Sequence, residues 1–134
     1  MAPYLRRHEV LPGDAVVVKG GLIQDPEKLR DDALDCYAKL EVRGEDPAYG
    51  VSVCSLPGRT ADQIAREVGT IRLPQTQMRV STVSQLERYS YVVVPSGQTG
   101  HATLIFPRPP TEEDWGNLQQ IFGDPVARGK RKRP

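Results

Sequence analysis

Cysteine is scarce in this chain of 134 residues: only Cys36 and Cys54 occur, and they form no Cys-x-x-Cys pair. That excludes a disulfide scaffold and the usual ligand spacings of a structural zinc site. Histidine is limited to His8 and His101, so no metal is expected. Neither Gly-x-Gly-x-x-Gly nor a Walker-type Gly-Lys-Ser/Thr loop is found, so no cofactor is expected. No run of 18 apolar residues exists, which excludes a membrane-spanning helix. The first residues, Met-Ala-Pro-Tyr-Leu-Arg-Arg-His, lack the apolar stretch of a secretory signal. Together these absences predict a cytoplasmic protein with reduced thiols.

Charge is nearly balanced at +1, but unevenly placed. Lys130, Arg131, Lys132 and Arg133 supply four positive charges, so subtracting them from +1 leaves about −3 for the rest. A nucleic-acid binder of the usual kind carries its positive charge on the folded body. Here only the tail offers weak, non-specific contact with phosphate. Twelve Gly and twelve Pro, spread along the chain, predict short elements and tight turns. The length suits one domain with one core. The reading is an irregular leader over residues 1–13, a single domain over 14–126 and a basic flexible tail over 127–134.

The most informative stretch runs from Tyr89 to Phe122. Val92, Val93 and Val94 are β-branched and follow two Tyr residues, which suits a strand; Pro95 closes it. Ser96 to Gly100 supplies two Gly for a tight connection, and His101 to Phe106 resumes an apolar strand, so an antiparallel hairpin is expected. Thr111 is a good N-cap, and Glu112, Glu113 and Asp114 place negative charge in the first helical turn. Trp115, Leu118, Ile121 and Phe122 share a helical face, and Gly123 with Pro125 stops the helix.

Earlier, Ala15 to Lys19 reads as a buried strand closed by Gly20 and Gly21. Asp25 caps a helix with Pro26 at its first position, whose inner face carries Leu29, Ala33, Tyr37 and Leu40. Tyr49 to Cys54 is a strand in which Val51 and Val53 alternate with Ser52 and Cys54. Thr60 and Gln63 form a capping box for a short helix ended by Gly69. Met78 to Val80 is a brief strand, and Ser81 caps a turn or two of helix bearing Val83 and Leu86. The order β-α-β-α-β-α-β-β-α predicts a single-domain α+β fold with a mixed sheet of four or five strands and helices packed on it.

Several places could carry chemistry. Lys19 sets a cation beside flexible glycine backbone, a potential anion contact. Cys54 and Arg59 suggest a phosphate loop, but they lie one residue too close for the Cys-dependent phosphatases, and Pro57 removes a donor. Arg79 and Ser81 stand at a strand-to-helix junction that can bind an anion if exposed; the plainer reading is that Ser81 merely caps the helix. His101, beside Ser96 and Thr99, is the candidate catalytic acid–base group. If the strand ends share one rim of the sheet, Lys19, Arg79, Ser81 and His101 form one electropositive pocket.

The order Val16-Val17-Val18-Lys19-Gly20-Gly21, Tyr49-Gly50-Val51-Ser52-Val53 and Gly100-His101-Ala102-Thr103-Leu104 resembles a group of short actinobacterial proteins. They share a Val-Val-Arg-Gly-Gly-like start and a His-Ala-Thr-Leu-like strand, and the resemblance implies no activity. Lys19 stands where their pattern has Arg. The start also loosely resembles the first strand of ADP-ribosyltransferases, which implies a later catalytic Glu on a strand. Leu104-Ile105-Phe106 offers none, and Glu112 and Glu113 open a helix, which argues against that activity. With no recognisable catalytic set, the leading expectation is a small binding or interaction protein with a protein partner. The alternative is a small enzyme acting on RNA, a nucleotide or a nucleotide-modified target, of the toxin type.

Overall fold

A computed structural model describes residues 3–20, 25–73, 77–123 and 126–127. The element order is β1 (Val16–Gly20), α1 (Pro26–Val42), β2 (Tyr49–Ser55), α2 (Ala61–Arg72), β3 (Gln77–Thr82), α3 (Val83–Glu87), β4 (Val92–Pro95), β5 (His101–Phe106), α4 (Glu112–Phe122) and β6 (Val126–Ala127). The α+β class and the first nine elements are as the sequence predicts. The basic run Lys130 to Arg133, and the Gly21 and Pro125 breaker positions, lie outside the described residues.

Local signals set the helix starts. The Asp25 side chain accepts from the Lys28 N–H, with Pro26 in the first turn. Thr60 and Gln63 form the expected capping box, and Thr111 and Asp114 form another. Gly69, at φ +75°, interrupts the helical geometry of α2 as expected, although helix resumes as far as Arg72. One cap is displaced: Thr82, not Ser81, caps α3. The β3 strand pairs two residues further than expected, through Thr82 opposite Val16, which draws Ser81 into the ladder and buries it.

The sheet order is β4-β5-β2-β1-β3-β6, and every ladder among the described residues is antiparallel. The expected mixed sheet is therefore corrected, and the reason is specific. Strands β2 and β3 do run the same way and are joined through α2, as a crossover demands, but β1 sits between them. Strand β1 can run against β2 because α1 crosses the sheet instead of returning along it. The first turns of α1 lie near Lys19, while Leu40 near its end packs with Ala48 and Val94. The chain thus re-enters at the end of the sheet it had left. The β4–β5 hairpin is antiparallel as predicted, with Val93 opposite Leu104.

The two sheet faces are covered differently. On one, Val17, Val51, Val53, Val93, Leu104 and Phe106 pack under α3, α4 and the start of α1. Complete burial of such side chains is worth roughly 1.5–3 kcal/mol each. On the other, Val18, Cys54 and Met78 lie under Ile64, Ala65 and Val68 of α2. At the far side of that second face, Val94 meets Leu5, Leu40 and Ala48. The leader is thus partly built in: Leu5 is buried and bridges to Ser96, while Val10 is exposed.

A buried polar knot ties α4 to the sheet side. Asp114 accepts from the Tyr91 hydroxyl at 2.8 Å, from the Thr111 N–H at 2.8 Å and from Arg108. Asn117 Nδ2 donates to the same Tyr91 oxygen. Burial pushes the Asp114 carboxyl up, but the donors from Arg108, Thr111 and Tyr91 outweigh it and hold it below its ordinary value. Burial pushes Tyr91 up to about 12.

Candidate functional site

Between its two apolar patches, the second face of the sheet carries a polar strip. Strand alternation places Gly50, Ser52 and Cys54 of β2 on this face, opposite Ile105, Thr103 and His101 of β5. Ser52 is exposed although β2 is flanked by strands on both sides, which shows that no helix covers it. A cleft of about 790 Å³ opens between α1 and this part of the sheet, with Tyr4, Lys19, Asp32, Cys36, Ser52 and Thr103 among its lining residues. A smaller recess of about 210 Å³ shares Lys19 and Ser52 with it and adds Gly20, Cys54, Leu73 and His101.

Close approach shapes the floor. A Cβ on Gly50 would lie 2.3 Å from Thr103 Cγ2 and 3.2 Å from Cys36 Sγ, so only glycine lets α1 and β5 sit so near β2. Gly100 is similarly required, with φ +89° and a hypothetical Cβ 2.7 Å from Val68 Cγ1. The turn it closes sets His101. Nδ1 of His101 is 2.9 Å from Ser96 Oγ, and that oxygen is 2.7 Å from Thr103 Oγ1. Ser96 is fully buried, so this hydroxyl pair fixes the imidazole from beneath. The Tyr4 ring lies over the same corner, 6.1 Å from the His101 ring centroid. The leader is strapped there by the Tyr4 and Leu5 N–H groups on the Glu45 carboxylate and by Arg6 on the Gly97 carbonyl.

Lys19 is the unusual charge. It is half-buried, and its ammonium has no hydrogen bond or ion pair among the described residues. Desolvation by burial pushes its pKa down, with Asp32 offsetting part of the shift. The acidic groups around the cleft already have cations of their own: Asp32 binds Lys28 at 2.9 Å, Asp35 binds Lys39 at 2.8 Å and Glu45 binds Arg43 at 2.7 Å. Burial also raises the Cys36 thiol pKa, so Cys36 is held in its neutral form.

Of the four residues that the sequence nominates, Lys19 and His101 both border one recess, although strand alternation sets the Lys19 side chain on the first face with Val17 and Arg79 and His101 on the second. Arg79 lies directly opposite Lys19 in the ladder, but its guanidinium donates to the Gly123 carbonyl at 2.6 Å and so caps the end of α4. Ser81 is buried, with its hydroxyl on Gln85 Oε1 at 2.9 Å. The shared-rim argument does not hold, because β1 runs against its neighbours; antiparallel register, with Val18 opposite both Cys54 and Val80, brings the neighbourhood together instead. Ser52, Thr103, Tyr4 and Asp32 were not nominated. The alternation of Val51 and Val53 with Ser52 was the one local signal for this floor; Tyr4 and Asp32 arrive only through tertiary packing.

Among the described residues no group of His, Cys, Asp or Glu is placed to hold a metal ion. No described helix is long and apolar enough to cross a membrane. No protein-family model, curated protein or solved structure matches the chain.

Proposed function

We propose that this protein is a binding protein for a small anionic molecule, taken up in the cleft between α1 and the sheet with Lys19 as the charged anchor. The observation that carries the reading is Lys19, half-buried and with no ion pair among the described residues, at a cleft where Asp32 and Asp35 are paired with Lys28 and Lys39. Taking a cation out of water without a partner is costly, and an arriving anion relieves that cost. The cleft volume lies within the about 300–1,000 Å³ usual for small-molecule sites. The test is a panel of small organic anions screened by thermal shift and followed by calorimetry. Lys19→Met should raise the Kd of a binder about 10-fold or more, a loss of about 1.4 kcal/mol, without loss of fold. Unchanged affinity in Lys19→Met removes the anchor and the reading with it.

A second reading, an enzyme acting on a nucleotide or RNA, rests on His101. Its imidazole is oriented by Ser96 at 2.9 Å and His101 lines the recess on the second face of the sheet, an arrangement suited to proton transfer. Turnover of nucleotide or RNA substrates that is lost in His101→Ala would favour it. Binding without turnover leaves the first reading.

A further inference from the structure

The second face of the sheet also carries a thiol that neither reading uses. Cys54 of β2 lies directly opposite His101 of β5. The Ser55 N–H donates to the Gly100 carbonyl, so the adjoining pair is a hydrogen-bonded one. Alternation then makes Cys54 and His101 a non-hydrogen-bonded pair, with Cα atoms about 4.5 Å apart and side chains at their closest. Both line the recess of about 210 Å³, together with Val18, Leu73 and Ser52. Cys54 is 5% exposed, and the recess is the space that reaches it.

The buried hydroxyls set the ring. Ser96 continues β4, on the side of β5 away from β2, and its Oγ holds Nδ1 of His101 at 2.9 Å. Drawing Nδ1 towards β4 turns the opposite edge of the imidazole, Cδ2 and Nε2, towards β2 and Cys54. Ser96 is fully buried and bonded to Thr103 Oγ1, which keeps the ring in that orientation. Thiol, imidazole and orienting hydroxyl follow the order of a cysteine nucleophile, its base and the group that positions the base. The α2 side chains packed with Cys54, namely Ile64, Ala65 and Val68, are apolar. Lys19, from the other face, adds a favourable charge, since Cys54 raises the Lys19 pKa.

The surroundings narrow the chemistry. Cys36 packs against Gly50, four residues from Cys54 along β2, or about 13 Å. The two thiols are too far apart for a disulfide, so an oxidation cycle has no resolving thiol in the chain. A proton acceptor is at hand instead. One water occupies about 30 Å³, so the recess takes a group of a few heavy atoms.

We propose that Cys54 is a nucleophile that accepts a short acyl group from an activated ester or thioester, with His101 as its base. The thiol proton passes to His101 Nε2 and the sulfur attacks the carbonyl carbon. A carbon–sulfur bond forms, the bond from that carbon to the leaving oxygen or sulfur breaks, and His101 gives the proton to the leaving group. The inference goes beyond both readings above and needs neither an anionic ligand nor a nucleotide.

The probe is 4-nitrophenyl acetate on the full chain, with nitrophenolate release followed by absorbance and the acetylated residue mapped by mass spectrometry. Cys36, whose thiol is pushed up by burial, is the internal control. At pH 7 acetylation is expected on Cys54 about 10-fold or more faster than on Cys36. In His101→Gln it should slow about 100-fold, the lower end of general-base contributions. The rate in the unaltered chain should level off below the ordinary thiol value of about 8.5. Ser96→Ala frees the ring and should move that profile upward in pH, which a merely structural loss would not do. Folding of each variant is checked by circular dichroism; should His101→Gln unfold, the profile of the unaltered chain decides. Absence of an adduct on Cys54, acetylation of Cys36 at an equal rate, an undiminished rate in folded His101→Gln, or the profile of an ordinary thiol each overturns the proposal.

Discussion

Replacing Gly50 by Ala places one methyl group where α1, β2 and β5 meet. The new Cβ would stand 2.3 Å from Thr103 Cγ2 and 3.2 Å from Cys36 Sγ. Carbon atoms settle at about 3.5–4.0 Å, so the first contact is too short by more than about 1 Å. Two ways of relief exist. Thr103 can rotate about χ1, which gives up its 2.7 Å contact with Ser96 Oγ, a hydrogen bond worth about 1 kcal/mol. Alternatively the strands and α1 part slightly, at the roughly 1–3 kcal/mol typical of overpacking. Against this, Ala restricts the unfolded chain and returns about 0.4–1 kcal/mol. A net loss of about 1–2 kcal/mol is expected. In urea unfolding that lowers the midpoint by roughly 1 M at unchanged slope. The second site makes the test sharp: Thr103→Ser deletes the clashing methyl and keeps the hydroxyl that meets Ser96. The double variant should therefore recover most of the loss, with a coupling of about 1 kcal/mol or more. The His101 ring resonances in NMR should shift in Gly50→Ala and return in the double variant, because Thr103, Ser96 and His101 are linked. Strict additivity of the two substitutions would refute the close-approach argument.

Other predictions follow from the same structure. Asp114→Ala removes a buried acceptor from Tyr91, Thr111 and Arg108 and should cost about 3 kcal/mol by chemical denaturation; a loss below about 1 kcal/mol contradicts the knot. The same knot sets two pH limits. The lowered Asp114 pKa contributes stability that is present above the ordinary carboxyl value of 3.8 and lost as pH falls from there through the folded value. Tyr91, raised from 10.0 to about 12, contributes stability that is lost as pH rises between those values, and Tyr91→Phe should remove that alkaline slope in urea titrations. Lys19→Met should hold or raise stability by up to about 1 kcal/mol while weakening anion binding about 10-fold or more, because it deletes a desolvated charge; a destabilised variant would mark Lys19 as structural.

Much of the local structure is written in neighbouring residues. Asp25 with Pro26, Thr60 with Gln63 and Thr111 with Asp114 each fix a helix start within one turn of chain, and their caps form as read. The five residues from Ser96 to Gly100 force a hairpin, so the pairing of β4 with β5 is equally local. Ser96 and His101 meet across that short turn, which is why one half of the site was visible beforehand.

Beyond that hairpin, which strand lies beside which was decided by tertiary structure. Alternation of strand and helix does not say whether β2 lies directly beside β3 or has β1 inserted between them, and that insertion turns an expected mixed sheet into an antiparallel one. Ser81 lost its exposure when β3 paired two residues further, and Arg79 was diverted to the end of α4 by the packing of that helix. Lys19 acquired its solitary charge only because α1 crosses the sheet and pairs its own acids with its own lysines. The sequence by itself determined the elements, their caps and one tight turn, since those are governed by contacts a few residues apart. The tertiary structure decided the strand order, the uncovered polar strip and the cleft, since those arise where distant segments compete to bury the same face.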